Sequence, residues 1–148
     1  MQTQTSRWMS AAAFVAMLLG LVGLVLTESL FSSTWPSVAV QITAVALMLW
    51  ARATFGARSF HAMADPTQGA LVTTGPYRFL RHPIYTAVCL FILPAAVNYP
   101  SLSTATCCAL IGGGAVARML LEEKLLRQQY PEYASYAAKT GRMIPFLF

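Results

Sequence analysis

A chain of 148 residues that is 57% hydrophobic and 10% charged is too apolar for an ordinary soluble domain, in which charged residues make up about 25%. Its mean hydropathy of +0.57 points the same way, to one integral-membrane domain over residues 1–148. The net charge of +5 indicates no nucleic-acid partner, because the basic residues form no patch with interleaved aromatics.

The first apolar run, Trp8 to Leu26, carries no charge and has the length a helix needs to cross about 30 Å of hydrocarbon. Arg7 ahead of it makes a signal peptide the rival reading. No small-x-small cleavage site stands before Thr27-Glu28, so a retained helix is expected. Residues 27–36 read as a short polar loop with Trp35 at interface depth. The second run, Ser37 to Thr54, is interrupted only by Gln41, Thr43 and Arg52. Residues 1–54 are thus expected to supply two transmembrane helices, and residues 55–148 the catalytic core.

From Phe55 to Arg81 the chain is mixed, broken by Gly56, Arg58, His61, Asp65, Pro66, Gly69, Gly75 and Pro76. Long connections of this kind tend to be functional. The third run, Pro83 to Val97, is short for a span, and Pro94 should bend or end it. Asn98-Tyr99-Pro100-Ser101 is a turn signal. The fourth run, Leu102 to Leu121, follows at once, which predicts a tight helical hairpin. Its Gly112-Gly113-Gly114 stretch permits either close helix contact or a kink. Beyond Leu121 the helix should leave the membrane through Glu122, Glu123 and Arg127. A short amphipathic stretch then holds Tyr133 and Tyr136, and residues 141–148 are expected against the membrane surface. The fold class is therefore all-α: about four transmembrane helices, a C-terminal hairpin and a cytoplasmic amphipathic tail. Cys89, Cys107 and Cys108 lie in apolar runs without metal spacing, so they read as packing thiols and no metal site is expected.

Lysine and arginine occupy positions 7, 52, 58, 78, 81, 118, 124, 127, 139 and 142. With four crossings all of them fall on one side, and the loops at 27–36 and 98–101 have none. The positive-inside rule then makes both termini cytoplasmic. It also places the stretch 74–85 on the same face as the tail 122–142. That stretch packs Tyr77, Arg78, Arg81, His82 and Tyr85 around Pro76 and Pro83. Polar density of this kind beside a membrane is costly unless partners or a ligand satisfy it. Pro83 disfavours the α conformation for His82 and suits the first helical turn after it.

Each group also has a plain structural reading. Arg118 with Glu122, and Glu123 with Arg127, stand at i,i+4 and can pair along a helix. Arg78 and Arg81 can anchor to lipid headgroups, His82 can cap a helix, and the tyrosines can form an interfacial belt. Taken together, an acidic pair, two arginines and a histidine on one face favour a ligand site.

The run Gly75-Pro-Tyr-Arg-Phe-Leu-Arg-His-Pro-Ile-Tyr85, then Glu122-Glu123, Tyr130-Pro-Glu-Tyr133 and Arg142-Met-Ile-Pro145, resembles the isoprenylcysteine carboxyl methyltransferase family and its phospholipid N-methyltransferase relatives. The similarity reaches back through Leu71–Thr74 to Phe55–Phe60 and covers roughly residues 45–148. One departure is Ala87, where the family usually has glycine. The resemblance implies a membrane methyltransferase that uses S-adenosylmethionine without a Rossmann fold. Its acceptor would be a lipid-like or prenylated molecule arriving from the bilayer. By the same resemblance Gly75, Tyr77, Arg81, His82, Tyr85, Glu122 and Glu123 bind the cofactor. Arg78 or Arg142 would orient a carboxylate acceptor, and Glu123 would take the proton from an amine acceptor. The oligomeric state is open. A chain with such short loops looks bacterial or archaeal, hence an inner-membrane protein. The alternatives are an NADPH-dependent membrane reductase of the sterol-reductase type and a non-enzymatic membrane scaffold.

Overall fold

Inside a bilayer each backbone N–H and C=O must be satisfied within the chain, so a long apolar run folds as a helix. The computed structural model describes residues 4–56 and 70–144, and the described part is all-α. Among the described residues three helices are long and apolar enough to cross a membrane: α1 (Gln4–Leu26), α2 (Trp35–Phe55) and α4 (Leu102–Gln129). Between the last two, α3 (Pro83–Asn98) has 16 residues, a rise of about 24 Å at ~1.5 Å per residue. A 3-10 turn, Gly75–Arg78, precedes α3, and the short α5 (Tyr133–Ala137) follows α4. The segment around Arg58, His61 and Asp65, and the tail from Pro145, lie outside the described residues.

The helices lie in the spatial order α2, α3, α4, α1. At the end remote from the arginines, polar side chains pin them together. Gln41 Nε2 donates to the Leu30 carbonyl at 2.8 Å and to that of Phe91 at 3.3 Å, and its Oε1 accepts from Ser32 N at 3.3 Å. Asn98 Nδ2 donates to Ser37 Oγ at 2.7 Å, which fixes the end of α3 against the start of α2. Ser101 caps α4 by accepting from Thr104 N at 3.1 Å, the role that makes serine favourable there.

α1 packs antiparallel on α4 along one stripe. A Cβ at Gly20 would lie 2.6 Å from the Cys107 carbonyl, and one at Gly114 would lie 2.7 Å from the Ala13 carbonyl. Of the three consecutive glycines, then, Gly114 makes the close approach, while Gly112 and Gly113 face open space. Elsewhere α1 and α2 expose large apolar side chains, such as Leu19 at 62% and Ile42 at 64%, the face a bilayer would cover.

One sequence expectation is corrected and two are made specific. Trp35 is the first residue of α2, not part of the loop. α3 runs through Pro94 and ends one turn later at Asn98. Residues 141–143 dock onto the helix ends, with Met143 packed beside Tyr85 and Met119, because the chain at 79–82 offers backbone partners.

Candidate functional site

The site is assembled where the start of α3, the polar end of α4 and the tail meet. Gly75 opens it. Its φ is +57° and a Cβ would collide with Thr54, so this position needs glycine for the turn and for the approach to α2. The turn buries Tyr77 against Phe55, ring centroids 5.5 Å apart. His82 follows with φ −129° and ψ 57°, just outside the helix, and Pro83 is the first helical residue.

The tail comes alongside as an isolated parallel bridge between Leu80 and Gly141. Gly141 N donates to the Phe79 carbonyl at 3.1 Å, Arg81 N to that of Gly141 at 2.8 Å, and His82 N to that of Arg142 at 3.0 Å. Thr86 Oγ1 adds a bond to the Met143 carbonyl at 2.9 Å. These bonds deliver the Arg142 side chain to the carboxylates of α4.

Glu123 is 4% exposed and is approached by basic side chains from four directions. Arg142 Nε donates to its Oε2 at 3.1 Å. Arg81 Nη1 lies 3.4 Å and His82 Nε2 3.5 Å from its Oε1, and Arg127 Nη2 lies 3.9 Å from its Oε2. Glu122 is served separately. The Tyr85 hydroxyl donates to its Oε1, Arg118 Nη2 lies 3.9 Å from the same oxygen, and His82 Nδ1 lies 3.8 Å from Oε2. His82 therefore stands between the two carboxylates. Both i,i+4 pairs read from the sequence are present, but at 3.9 Å they are the longest contacts in the cluster.

Four buried polar atoms here make no hydrogen bond among the described residues, Arg81 Nε, His82 Nε2, Glu123 Oε1 and Tyr133 Oη, although His82 Nε2 and Glu123 Oε1 face each other as an ion pair at 3.5 Å. Buried polar groups are normally satisfied, so this concentration marks a place shaped for a polar ligand. The phenols around it stay protonated. Burial pushes the Tyr77 and Tyr133 hydroxyls well above the ordinary range, helped by the charges of Glu122 and Glu123 respectively. Burial likewise pushes Tyr136 up to about 12, and its hydroxyl donates to the Tyr77 carbonyl at 2.6 Å.

Of the residues singled out from the sequence, Tyr77, Arg81, His82, Tyr85, Glu122, Glu123 and Arg142 converge here. Gly75 shapes the turn beneath them. Arg78 stands apart, exposed, with its guanidinium 4.9 Å over the Phe79 ring. Ala87 is buried at 1% exposure within α3. Sequence reasoning gave Arg118, Arg127 and Tyr133 no part in the site. Arg118 and Arg127 carried a signal in their i,i+4 spacing to the two glutamates. Tyr133, over which Arg127 lies at 5.4 Å, carried one in the Tyr130-Pro-Glu-Tyr133 run of the family resemblance.

The profile of the family described as phospholipid methyltransferase matches residues 34–133. The chain belongs to this family. The match takes in the 3-10 turn, Arg81 to Tyr85, both glutamates and Tyr133, and leaves α1 and the Arg142 segment outside. Among curated proteins it is similar to the cobalt-zinc-cadmium resistance protein CzcN of Cupriavidus metallidurans, 38% identical over 80 residues, which is 52% of this chain and 36% of that protein. It is also similar to the nickel-cobalt-cadmium resistance protein NccN of Alcaligenes xylosoxydans xylosoxydans, 32% identical over 132 residues, 86% of this chain. The chain spans 60% of the length of NccN and 36% of that of CzcN.

Proposed function

We propose that this member of the phospholipid methyltransferase family is a membrane methyltransferase that uses S-adenosylmethionine and serves a lipid-like acceptor. The observation behind this reading is the cluster of buried atoms on Arg81, His82, Glu123 and Tyr133 that are without a hydrogen bond. A zwitterionic ligand bearing hydroxyls suits that donor and acceptor set. Arg81 and His82 would hold its carboxylate, while Glu123 and Glu122 would take its ammonium or ribose hydroxyls, each a charge-assisted contact. Gly75 and Tyr77 support the floor, and Tyr85 orients Glu122. When bound, S-adenosylmethionine supplies an electrophilic methyl group on a sulfonium.

The protein's own contribution is positioning and exclusion of water. The docked tail lies alongside the site, and Met17, Met119 and Met143 form an apolar wall around Tyr85. An acceptor carboxylate, of the isoprenylcysteine type, needs no base, only a guanidinium to align it, from Arg142 or Arg78. An acceptor amine, of the phospholipid type, must lose a proton, and Glu123 would take it. The charge distribution supports a site on the cytoplasmic face of a prokaryotic inner membrane, with both termini on that side. Metal resistance in the names of two relatives suggests the setting in which such methylation would serve.

Calorimetric titration of the detergent-purified chain with S-adenosylhomocysteine tests the reading. One-site saturable binding, lost in Glu123→Ala, is expected. Absence of binding by helical, folded protein would sink it; NADPH binding instead would favour a reductase, and neither ligand a scaffold.

A further inference from the structure

Arg118 lies on α4 at 5% exposure, within a helix apolar enough to span a membrane. An ionised side chain there is costly unless several partners hold it, and its partners come from three helices. On α3, the Tyr85 hydroxyl accepts from its Nε at 3.1 Å. On α4, Glu122 Oε1 lies 3.9 Å from its Nη2. On α1, the Ser10 carbonyl accepts from Nη1 at 3.4 Å, and the Phe14 ring lies 5.3 Å beneath the guanidinium.

The hydrogen bonds have a fixed direction. Arginine only donates, so the Tyr85 oxygen accepts from Arg118 and spends its own proton on Glu122 Oε1. The other carboxylate oxygen of Glu122 is thereby turned toward His82, 3.8 Å away, on the side of the ligand cluster. The anchoring side is equally defined. Ser10, Met17 and Leu24 recur at helical spacing on α1. Ser10 and Leu24 are fully buried, and Met17 packs into the cluster around Tyr85.

We propose that Arg118 is a positioning residue, orienting Glu122 through the Tyr85 hydroxyl, and that Ser10 and Phe14 of α1 hold its guanidinium in place. This rests on the methyltransferase reading. It makes α1, which lies outside the family match, a working part of the site as well as a membrane span.

The test is a double-mutant cycle on the full chain in detergent, with S-adenosylhomocysteine as the calorimetric probe. Arg118→Met and Tyr85→Phe are each expected to weaken binding about tenfold, and the double variant no further, because both act on Glu122 through one relay. Phe14→Leu should weaken binding about threefold in the parent and have no effect in the Arg118→Met background. Arg118→Lys, which keeps one donor but not the fork, should restore part of the affinity. A purely structural role would lower the thermal midpoint and leave the affinity of folded protein unchanged. Unchanged affinity in Tyr85→Phe, or additive losses in the double variant, would overturn the proposal. Should Arg118→Met not fold, Tyr85→Phe and Arg118→Lys probe the same relay, and full affinity in both would overturn it equally. Failure of the parent chain to bind overturns the methyltransferase reading itself, an outcome distinct from binding that ignores these substitutions.

Discussion

Arg142 Nε and Glu123 Oε2 lie 3.1 Å apart across 19 residues of sequence, joining the tail to α4 at the centre of the site. Arg142 is partly exposed and Glu123 buried, so the two sides of the pair are unequal. Losing Arg142 leaves Glu123 with Arg81, His82 and Arg127 for company. Arg142→Met is therefore expected to fold with little change in thermal midpoint and to weaken S-adenosylhomocysteine binding about tenfold, or about 1.4 kcal/mol. Undiminished affinity would remove Arg142 from the site.

Loss of Glu123 should cost more, and in a different way. Arg81, at 8% side-chain exposure, would keep a buried charge without its carboxylate, and breaking such a pair typically costs about 3–5 kcal/mol. Glu123→Ala is expected both to bind no S-adenosylhomocysteine and to denature at a lower temperature. Pairing it with Arg81→Ala should recover part of the stability while binding stays absent. A double variant no more stable than Glu123→Ala would show that the pair is not what sets the stability.

The stripe between α1 and α4 makes a contrast among adjacent glycines. A Cβ at Gly114 would sit 2.5 Å from Met17 Cγ and 2.7 Å from the Ala13 carbonyl, and the second of these is backbone. Gly114→Ala should lower the thermal midpoint in detergent, since such overpacking costs about 1–3 kcal/mol. Gly112→Ala meets nothing within 4 Å and replaces a poor helix former with the best one, so its midpoint should hold or rise. Equal behaviour of the two variants would contradict the packing.

Much of this arrangement was legible in the sequence because single rules applied without competition. Uncharged length gave the spans, Pro83 gave the start of α3 with His82 outside it, and charge asymmetry gathered the polar stretches at one end. Spacing on α4 announced Arg118–Glu122 and Glu123–Arg127, but only as local pairs. What spacing cannot express is contact between distant segments. The docking of residues 141–143 beside 79–82 rests on backbone hydrogen bonds, which every residue but proline can donate. The reach of α1 to the site depends on Arg118 finding the Ser10 carbonyl, again a backbone partner. Pro94 left two outcomes open, a bend or an end. The local rule is sound, yet α3 continues for one turn, with Asn98 Nδ2 bonded to the Pro94 carbonyl at 2.9 Å and its far end pinned to α2.

The buried phenols predict an alkaline limit for the docked tail. A tyrosine whose pKa is raised in the folded state contributes stability that is intact below its ordinary value of 10.0 and is lost as pH rises through the folded value. For Tyr136 that window runs from about 10 to about 12. Tyr136→Phe should flatten the loss of thermal stability across this window and remove one late-ionising phenol from the near-ultraviolet titration. Ionisation of all tyrosines together near the ordinary value would mean that Tyr136 is not buried in solution.

The turn at 98–101 decides the orientation of the whole chain. It lies at the end remote from Arg52, Arg81 and Arg142, and Pro100 in it is exposed. Cys89, Cys107 and Cys108 are free and partly buried, so they would be replaced before a reporter is introduced. Pro100→Cys in that background should react with a membrane-impermeant maleimide added outside intact cells. A cysteine at Lys139, exposed at the arginine-rich end, should react only after the membrane is opened. The physical reason is the cost of carrying arginine and lysine across the bilayer, which keeps that end where it was synthesised. Labelling of Lys139→Cys from outside, with Pro100→Cys protected, would invert the protein and put the candidate site on the wrong side for a cytoplasmic methyl donor.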